Sequence, residues 1–214
     1  MKDSTIAKIL LELGAVSFRP DEPYRYTSGL LSPIYTDNRV LISHPDQRKV
    51  IAKAFAELLS ANYRGVQCVA GTATAGIPWA AWLAEKLNVP MIYVRDRAKR
   101  HGQKNQIEGT LQPGAPTIIV EDLISTGQSA LGAAAAVRRA GGIPLAVVAI
   151  FTYQMKVAVD AFKEFGIPLH TLTNFRSLTD EAHRQGILTK ESSQNVLAWA
   201  EDPEGWSEKM EQHE

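Results

Sequence analysis

Residues 117–131 carry side chains that suit the binding of hydroxyls and phosphate. A β-branched apolar run, residues 117–120, is followed by two adjacent acids, Glu121 and Asp122, and then by a small-residue turn that opens an alanine-rich stretch. Carboxylates accept hydrogen bonds from hydroxyls or hold a cation. The free N–H groups and the dipole at a helix N-terminus bind phosphate. The alternative is a helix-capping Asp in an ordinary strand-to-helix turn.

A second stretch, residues 95–109, is basic. Between Arg95 and Lys104 the stretch contains five Lys or Arg residues and one acidic residue, and it has no apolar periodicity. Loops of this length without structure of their own are usually functional lids or disordered segments. The charge favours a lid that closes over an anion, and a solvated basic loop is the alternative.

A third stretch, residues 71–76, is rich in small residues and follows a predicted strand. Its backbone can approach an anion closely, which suits a diphosphate. The signal is weak by itself, because neither GxGxxG nor the Walker pattern is present.

The elements that position these stretches follow from apolar spacing. Helices are predicted near residues 6–13 and after Pro45, and two short helices are expected to finish the chain. In between, strands and helices alternate, which predicts an α/β fold with a parallel twisted sheet flanked by helices. The predicted strands are 66–70, 91–94, 117–120, 145–151 and 169–172, and the predicted helices among them are 78–87, 129–140 and 158–165. Ligands of such sheets bind at the carboxyl ends of the strands.

We expect one domain over residues 1–214, with an N-terminal hood (1–42), an α/β core (43–175) and C-terminal helices (176–214). Equal numbers of basic and acidic side chains, 23 each, argue against nucleic acid or a membrane surface as a partner. The single cysteine, Cys68, excludes an intramolecular disulfide and a zinc site with several thiolates. The sequence lacks an apolar secretory segment near its start and any run of ~18 apolar residues, so a cytoplasmic location is expected.

Several of these stretches together resemble the orotate phosphoribosyltransferase family of type I phosphoribosyltransferases. The signature is residues 120–129, and the likeness extends to residues 27–35 with Asp37 and Arg39, to 73–78, to 95–102 and to 199–203. It covers nearly the whole chain. The resemblance implies the type I phosphoribosyltransferase fold. It also implies the transfer of the phosphoribosyl group of phosphoribosyl diphosphate (PRPP) to N1 of orotate, giving orotidine 5′-monophosphate and diphosphate in pyrimidine (UMP) biosynthesis.

The resemblance also implies roles for single residues. Glu121 and Asp122 hold the ribose hydroxyls, the turn 125–129 cradles the 5-phosphate, and Ser125 and Tyr35 contact orotate. The implied catalytic residues are Arg95, Lys99, His101 and Asp122. The implied PRPP contacts are Arg95, Lys99, His101, Glu121, Asp122, Leu123, Ile124, Ser125, Thr126, Gly127, Gln128 and Ser129.

Magnesium is expected to arrive with the diphosphate, without a direct protein ligand. A homodimer is expected, in which the 95–109 loop reaches the partner's site. Compared with one branch of the family, Thr27, Ala75 and Asp96 stand where that branch has lysines, and residues 153–155 lack an arginine. The alternatives are a purine phosphoribosyltransferase, against which the hood stretch 28–35 argues, and a non-catalytic regulator of the same fold.

Overall fold

The computed structural model describes residues 2–26, 28–96 and 106–212. Its strands are β1 (Val16–Phe18), β2 (Tyr24–Arg25), β3 (Leu31–Ser32), β4 (Ile34–Thr36), β5 (Cys68–Thr72), β6 (Met91–Val94), β7 (Ile107–Glu108), β8 (Pro116–Ile124), β9 (Ile143–Thr152) and β10 (Leu169–Asn174). Its helices are α1 (Lys2–Glu12), α2 (Pro45–Asn62), α3 (Gly76–Leu87), α4 (Gln128–Arg139), α5 (Lys156–Phe165), α6 (Phe175–Arg184), α7 (Lys190–Glu201) and α8 (Pro203–Glu211), with a 3₁₀ helix at Asn38–Ser43.

Six strands form the central sheet in the order β10-β9-β8-β5-β6-β7. The sheet is parallel except for β7, which pairs antiparallel with β6. From β5 the chain passes through α3 to β6 on one side, whereas β8 lies on the other side. The direction of winding therefore reverses between β5 and β8, and a crevice opens there at the carboxyl ends of the strands.

Both faces of the sheet are buried, and two hydrophobic clusters cover them. Ile118 and Val120 of β8 belong to the cluster that includes α1, α2, α3 and the C-terminal helices, whereas Ile119 packs in the cluster with α4 and α5. All three side chains have no exposed surface. Burial on both faces explains why β8 begins with a continuous apolar run instead of an alternating pattern.

The hood consists of two small antiparallel ribbons, β1 with β4 and β2 with β3. The C-terminal helices support it through two buried hydrogen bonds. The indole Nε1 of Trp199 donates to the carbonyl oxygen of Leu31 at 3.0 Å, and the amide of Leu31 donates to Ser207 Oγ at 3.0 Å. Residues near the two ends of the sequence thus form one layer beside the sheet. No helix within the described ranges is long and apolar enough to cross a membrane.

The fold confirms the predicted α/β class, and β6 has the predicted bounds. Three predictions of elements are wrong. Strand β8 does not end at Val120 but continues through the acidic pair, because β9 offers a ladder that pairs Glu121 with Ala149 and Leu123 with Phe151. The basic stretch contains a strand, β7, whose Ile107 is buried.

The third wrong prediction concerns the end of the chain, where three helices follow β10 instead of two. The additional boundary lies at Asp202, whose side chain accepts a hydrogen bond from the amide of Gly205, with Pro203 in the first turn of α8. Proline at that position lacks the N–H that would continue α7. Helix α3 also begins at Gly76, two residues before the predicted start at Pro78.

Candidate active site

The acidic pair lies near the carboxyl end of β8. Glu121 is buried, with 7% of its surface exposed, and Asp122 is half-buried. The Glu121 carboxylate oxygen Oε1 accepts a hydrogen bond from the amide of Asp122 at 3.0 Å. The carbonyl oxygen of Asp122 accepts one from Nδ2 of Asn38 at 2.9 Å, so the hood fixes the backbone of the pair.

Burial raises the pKa of Glu121 to about 9, and the neighbouring charge of Asp122 adds to this shift. Burial also raises the pKa of Asp122, although the hydrogen bond with Glu121 and the nearby Arg39 guanidinium act in the opposite direction. The physical cause is the cost of placing two carboxylates in one poorly solvated site. At neutral pH Glu121 therefore keeps its proton, and its carboxyl group can both donate and accept hydrogen bonds.

Helix α4 begins directly after the turn that follows β8. Its N-cap is Gly127, with φ of +82° and no side-chain capping bond. A Cβ atom at Gly127 would lie 2.6 Å from the Phe162 ring, so close packing on α5 as well as the positive φ requires glycine. The N–H groups of the first turn remain available to an anion, and the dipole of α4 favours negative charge there. The Asp-cap alternative is wrong, since Asp122 lies within β8.

Residues 73–75 form the opposite wall of the crevice, between β5 and α3. Their position depends on Gly76, where a Cβ atom would lie 2.3 Å from the carbonyl oxygen of Val120. The N-terminus of α3 therefore packs against β8 immediately before the acidic pair. The amide of Ala73 donates to the carbonyl oxygen of Val94 at 2.8 Å, and the peptide bond between Ala73 and Thr74 is cis.

The stem of the basic stretch lies at the carboxyl end of β6. The amide of Arg95 donates to the carbonyl oxygen of Gln106 at 2.9 Å, and the Arg95 guanidinium pairs with Glu108 at 3.4 Å. Gln106 Nε2 donates back to the carbonyl oxygen of Arg95 at 3.0 Å, while its Oε1 accepts from Arg139 of α4 at 2.8 Å. The two ends of the predicted lid are thus held side by side. Lys99 and His101 lie outside the described residues.

These elements enclose a cleft of about 250 Å³ between the two walls. Its lining combines the loop 73–75, Asp96 and every residue from Glu121 to Ala130. A recess of about 220 Å³ shares Asp96, Gln128 and Ser129 with it and adds Thr72 and Arg95. The structure therefore brings together most of the predicted PRPP contacts among the described residues.

Two of the predicted contacts differ from the others in where their side chains point. Ile124 is buried in the cluster with α4 and α5, and Leu123 packs against the other cluster. Within the cleft these two residues therefore offer mainly backbone atoms. Ser125, Gln128 and Ser129 are exposed to it.

Tyr35 lies in β4 of the hood, with 43% of its surface exposed and its ring 5.6 Å from that of Tyr24. It is absent from the cleft lining given by the described residues. Arg39, three residues beyond the strand, forms a bidentate pair with Asp37, at 2.6 and 2.9 Å. The hood therefore places the charged pair of Asp37 and Arg39 near Asp122, whose pKa the Arg39 guanidinium acts to lower.

One residue of the site, Asn38, was not predicted from the sequence, and Thr72 was predicted only as part of the stretch 71–76, without a role for its side chain. Asn38 is buried and holds the backbone of Asp122, while its Oδ1 has no hydrogen-bond partner among the described residues. Thr72 is buried at the end of β5 and lines the recess, and its hydroxyl acts to lower the pKa of the Glu121 carboxyl. An amide in an Asp-Asn-Arg run and a threonine at a strand end give no periodic signal, so only the packing reveals them.

Comparisons with known proteins agree with this geometry. The sequence profile of the phosphoribosyl transferase domain matches residues 37–156. The orotate phosphoribosyltransferase of Coxiella burnetii is 51% identical over 201 residues, covering 94% of this chain and 96% of that protein. The orotate phosphoribosyltransferase of Bacillus caldolyticus is 46% identical over 206 residues, covering 96% and 99%.

Solved structures show the same fold. The orotate phosphoribosyltransferase of Aeropyrum pernix superimposes with a TM-score of 0.72 at 27% identity, covering 86% of this chain and 99% of that one. The UMP synthase of Leishmania donovani gives a TM-score of 0.77 at 26% identity and covers 92% of this chain, which corresponds to 42% of that longer chain. From the identity to its curated relatives, the chain belongs to the orotate phosphoribosyltransferase family.

Proposed function

We propose that the cleft between β5 and β8 binds PRPP and that orotate binds beside it, under the hood. In the reaction of this family, N1 of orotate displaces diphosphate from C1 of the ribose and orotidine 5′-monophosphate is formed, in pyrimidine biosynthesis. The observation that supports the binding mode best is that one crevice gathers a helix N-terminus suited to phosphate, an acidic pair and a basic stem.

The 5-phosphate binds at the N-terminus of α4. The turn from Ser125 to Ser129 offers hydroxyls and free amides, and Gly127 lets the backbone turn sharply enough to direct them into the cleft. Hydrogen bonds from N–H and O–H groups to an ionised phosphate are short and strong. These serines act as ligands and not as nucleophiles, because the reaction needs no covalent intermediate.

Glu121 and Asp122 bind the 2- and 3-hydroxyls of the ribose. A carboxylate accepts hydrogen bonds from such hydroxyls, and the protonated Glu121 also donates one. Because the backbone of β8 and the bond from Asn38 hold the pair in place, little freedom is lost when the sugar binds. The ribose is thereby oriented with C1 toward the hood and the lid.

The diphosphate end lies toward the recess. Arg95, whose guanidinium pairs with Glu108, and Thr72 line the recess, and by resemblance Lys99 and His101 join them from the lid. Bond breaking that runs ahead of bond making leaves a ribosyl cation and a highly charged leaving group. Fixed donors aimed at developing charge contribute ~3 to 4 kcal/mol each, so these groups would stabilise the departing diphosphate. Closure of the lid would exclude water from the reacting ribose.

Magnesium fits this site as a companion of the substrate. Within the described residues no group of three or more acidic, His or Cys side chains gathers to hold a metal. Magnesium in proteins usually keeps several waters and binds substrate phosphates, so the diphosphate would hold the ion without a direct protein ligand. When bound, the ion neutralises charge on the diphosphate.

The base binds between Ser125 and the exposed face of Tyr35. We further propose a homodimer in which the lid of one subunit closes over the site of its partner. Both proposals follow from the family resemblance, and the position of the hood beside Asp122 supports the first.

A base panel tests the proposed function. The protein is incubated with PRPP, magnesium and one base at a time, and release of diphosphate and nucleotide is measured for orotate, adenine, guanine, hypoxanthine and uracil. We expect orotate alone to be consumed rapidly. Preference for a purine would favour the purine alternative, and failure with every base would favour a non-catalytic regulator.

A further inference from the structure

Tyr153 connects the hood to the phosphate turn. It follows β9 directly and is buried, with 5% of its surface exposed. Its amide donates to the carbonyl oxygen of Ile124 at 3.1 Å, at the last residue of β8 before the turn. Its hydroxyl donates to Oγ1 of Thr36 at 3.0 Å, at the last residue of β4 in the hood. One residue therefore bridges the two parts of the site.

The Tyr153 ring is held by other aromatic rings on several sides. Its centroid lies 5.1 Å from that of Phe151, 5.9 Å from Phe175 and 5.5 Å from Trp199, all in edge-to-face geometry. Trp199 itself donates a hydrogen bond to the hood strand β3. These three ring contacts restrict the movement of the Tyr153 ring and so position its hydroxyl relative to the sheet.

The hydroxyl of Tyr153 also remains a donor. Burial raises its pKa well above the ordinary value for tyrosine. The group therefore stays protonated at neutral pH, and its bond to Thr36 does not depend on pH there.

The hood segment that receives this bond is anchored a second time two residues later. Asn38 donates to the carbonyl oxygen of Asp122, so residues 36 and 38 are tied to the ends of the neighbouring strands β9 and β8. Successive residues of a strand point to opposite sides. With Thr36 directed toward Tyr153, its neighbour Tyr35 is directed away and remains exposed.

We propose that Tyr153 is a positioning residue for the base: through Thr36 it sets the distance between Tyr35 and the phosphoribosyl pocket. The proposal rests on the proposed function, in which Tyr35 contacts orotate. Tyr153 itself does not touch the reacting atoms. A role only in core packing would depend on the ring, whereas this role depends on the hydroxyl.

The test removes the hydroxyl and keeps the ring. In Tyr153→Phe we expect KM for orotate to rise roughly three- to tenfold, the effect of one net hydrogen bond, while KM for PRPP stays within about twofold. Thr36→Val should reproduce this change. The double variant should be no worse than either single variant, because both remove the same bond. Hydrogen exchange of amides in residues 34–38 should quicken in all three.

Tyr63→Phe is the matched control. It removes a hydroxyl that bonds His170 Nε2 at 2.7 Å, near the amino end of β10 and so away from the cleft. Both KM values and the exchange of residues 34–38 should be unchanged in this variant.

An unchanged KM for orotate in Tyr153→Phe, or an equal rise for both substrates, would overturn the proposal. So would additive effects in the double variant. Absence of orotate turnover in the wild-type protein is a different result, which would contradict the proposed function itself.

Discussion

At the scale of single residues, the site depends on carboxyl groups held where water is scarce. Glu121 is almost fully buried, yet its carboxyl contacts the amide and the charge of Asp122. A protein that only needed stability would place an apolar side chain there. In the proposed binding mode, ribose hydroxyls replace the missing water when substrate binds, which offsets this cost.

The raised pKa of Glu121 predicts how stability depends on pH. In the unfolded chain the pKa of this carboxyl is 4.5, whereas in the folded protein it is about 9. Between these values the folded state binds more protons, so stability falls as pH rises. Glu121→Gln removes this contribution. The free energy of unfolding of the variant minus that of wild type should therefore increase as the pH rises from 5 to 9, by at most ~1.4 kcal/mol per pH unit.

Urea unfolding at pH 5, 6, 7 and 8 measures this difference. Glu85→Gln, on the exposed side of α3, serves as the control and should run parallel to wild type. If the difference in the free energy of unfolding between Glu121→Gln and wild type did not change with pH either, Glu121 would be ionised in the folded protein at neutral pH.

The catalytic role of Lys99 is predicted from the sequence alone. If it stabilises the departing diphosphate, Lys99→Ala should lower kcat by about 10² to 10³ because one donor to the developing charge is lost. The free energy of unfolding should not change. Lys104→Ala, another lysine of the same stretch, is the control and should retain most of the activity. Turnover equal to wild type in Lys99→Ala would remove Lys99 from the mechanism.

At the scale of elements, the position of the site depends on a close approach of α3 to β8. The sequence predicts both elements, but not that the carbonyl oxygen of Val120 lies where a Cβ atom of residue 76 would be. Apolar spacing likewise places β8, although it stops the strand before Glu121. Side-chain periodicity cannot detect a ladder that depends on the length of β9, nor the pairing that makes a strand of residues 107–108.

Gly76→Ala tests this approach. The added methyl group would lie 2.3 Å from a backbone oxygen, so α3 must move away from β8, and we expect a loss of ~2 to 4 kcal/mol in the free energy of unfolding. Gly132→Ala is the matched control within α4, where nothing lies within 4 Å of the new Cβ. That variant should gain ~0.5 to 1 kcal/mol. Equal effects of the two substitutions would show that α3 has room to adjust.

At the scale of the whole molecule, the layers of the fold bring distant parts of the sequence to one edge of the sheet. The hood, β8, β9 and the C-terminal helices meet around Tyr153 and Trp199. The lid stem lies across the crevice, on β6 and β7. In the proposed binding mode the substrate therefore lies between the hood and the lid stem, and the hood shares one hydrophobic cluster with β8 and β9.

Mixing two inactive variants tests the proposed dimer. Lys99→Ala lacks the lid lysine, and Gly127→Val disrupts the phosphate turn, where a Cβ atom would meet the Phe162 ring. If each lid serves the partner's site, a mixed dimer has one site with both parts intact. Activity should then recover to roughly a quarter of the wild-type value after subunits exchange at random. Mixtures without recovery, although the subunits exchange, would show that each lid serves its own subunit.

The α/β class, the family resemblance and the chemical types at the site are predictable from sequence, because they depend on local patterns: an apolar run, two acids, a glycine turn and a cluster of bases. The burial of Glu121, the close approach at Gly76 and the bonds by which Tyr153 and Asn38 tie the hood to β9 and β8 are visible only in the folded chain. Burial, close approach and hydrogen bonds between residues 84 or 117 positions apart arise from packing, which no local pattern encodes.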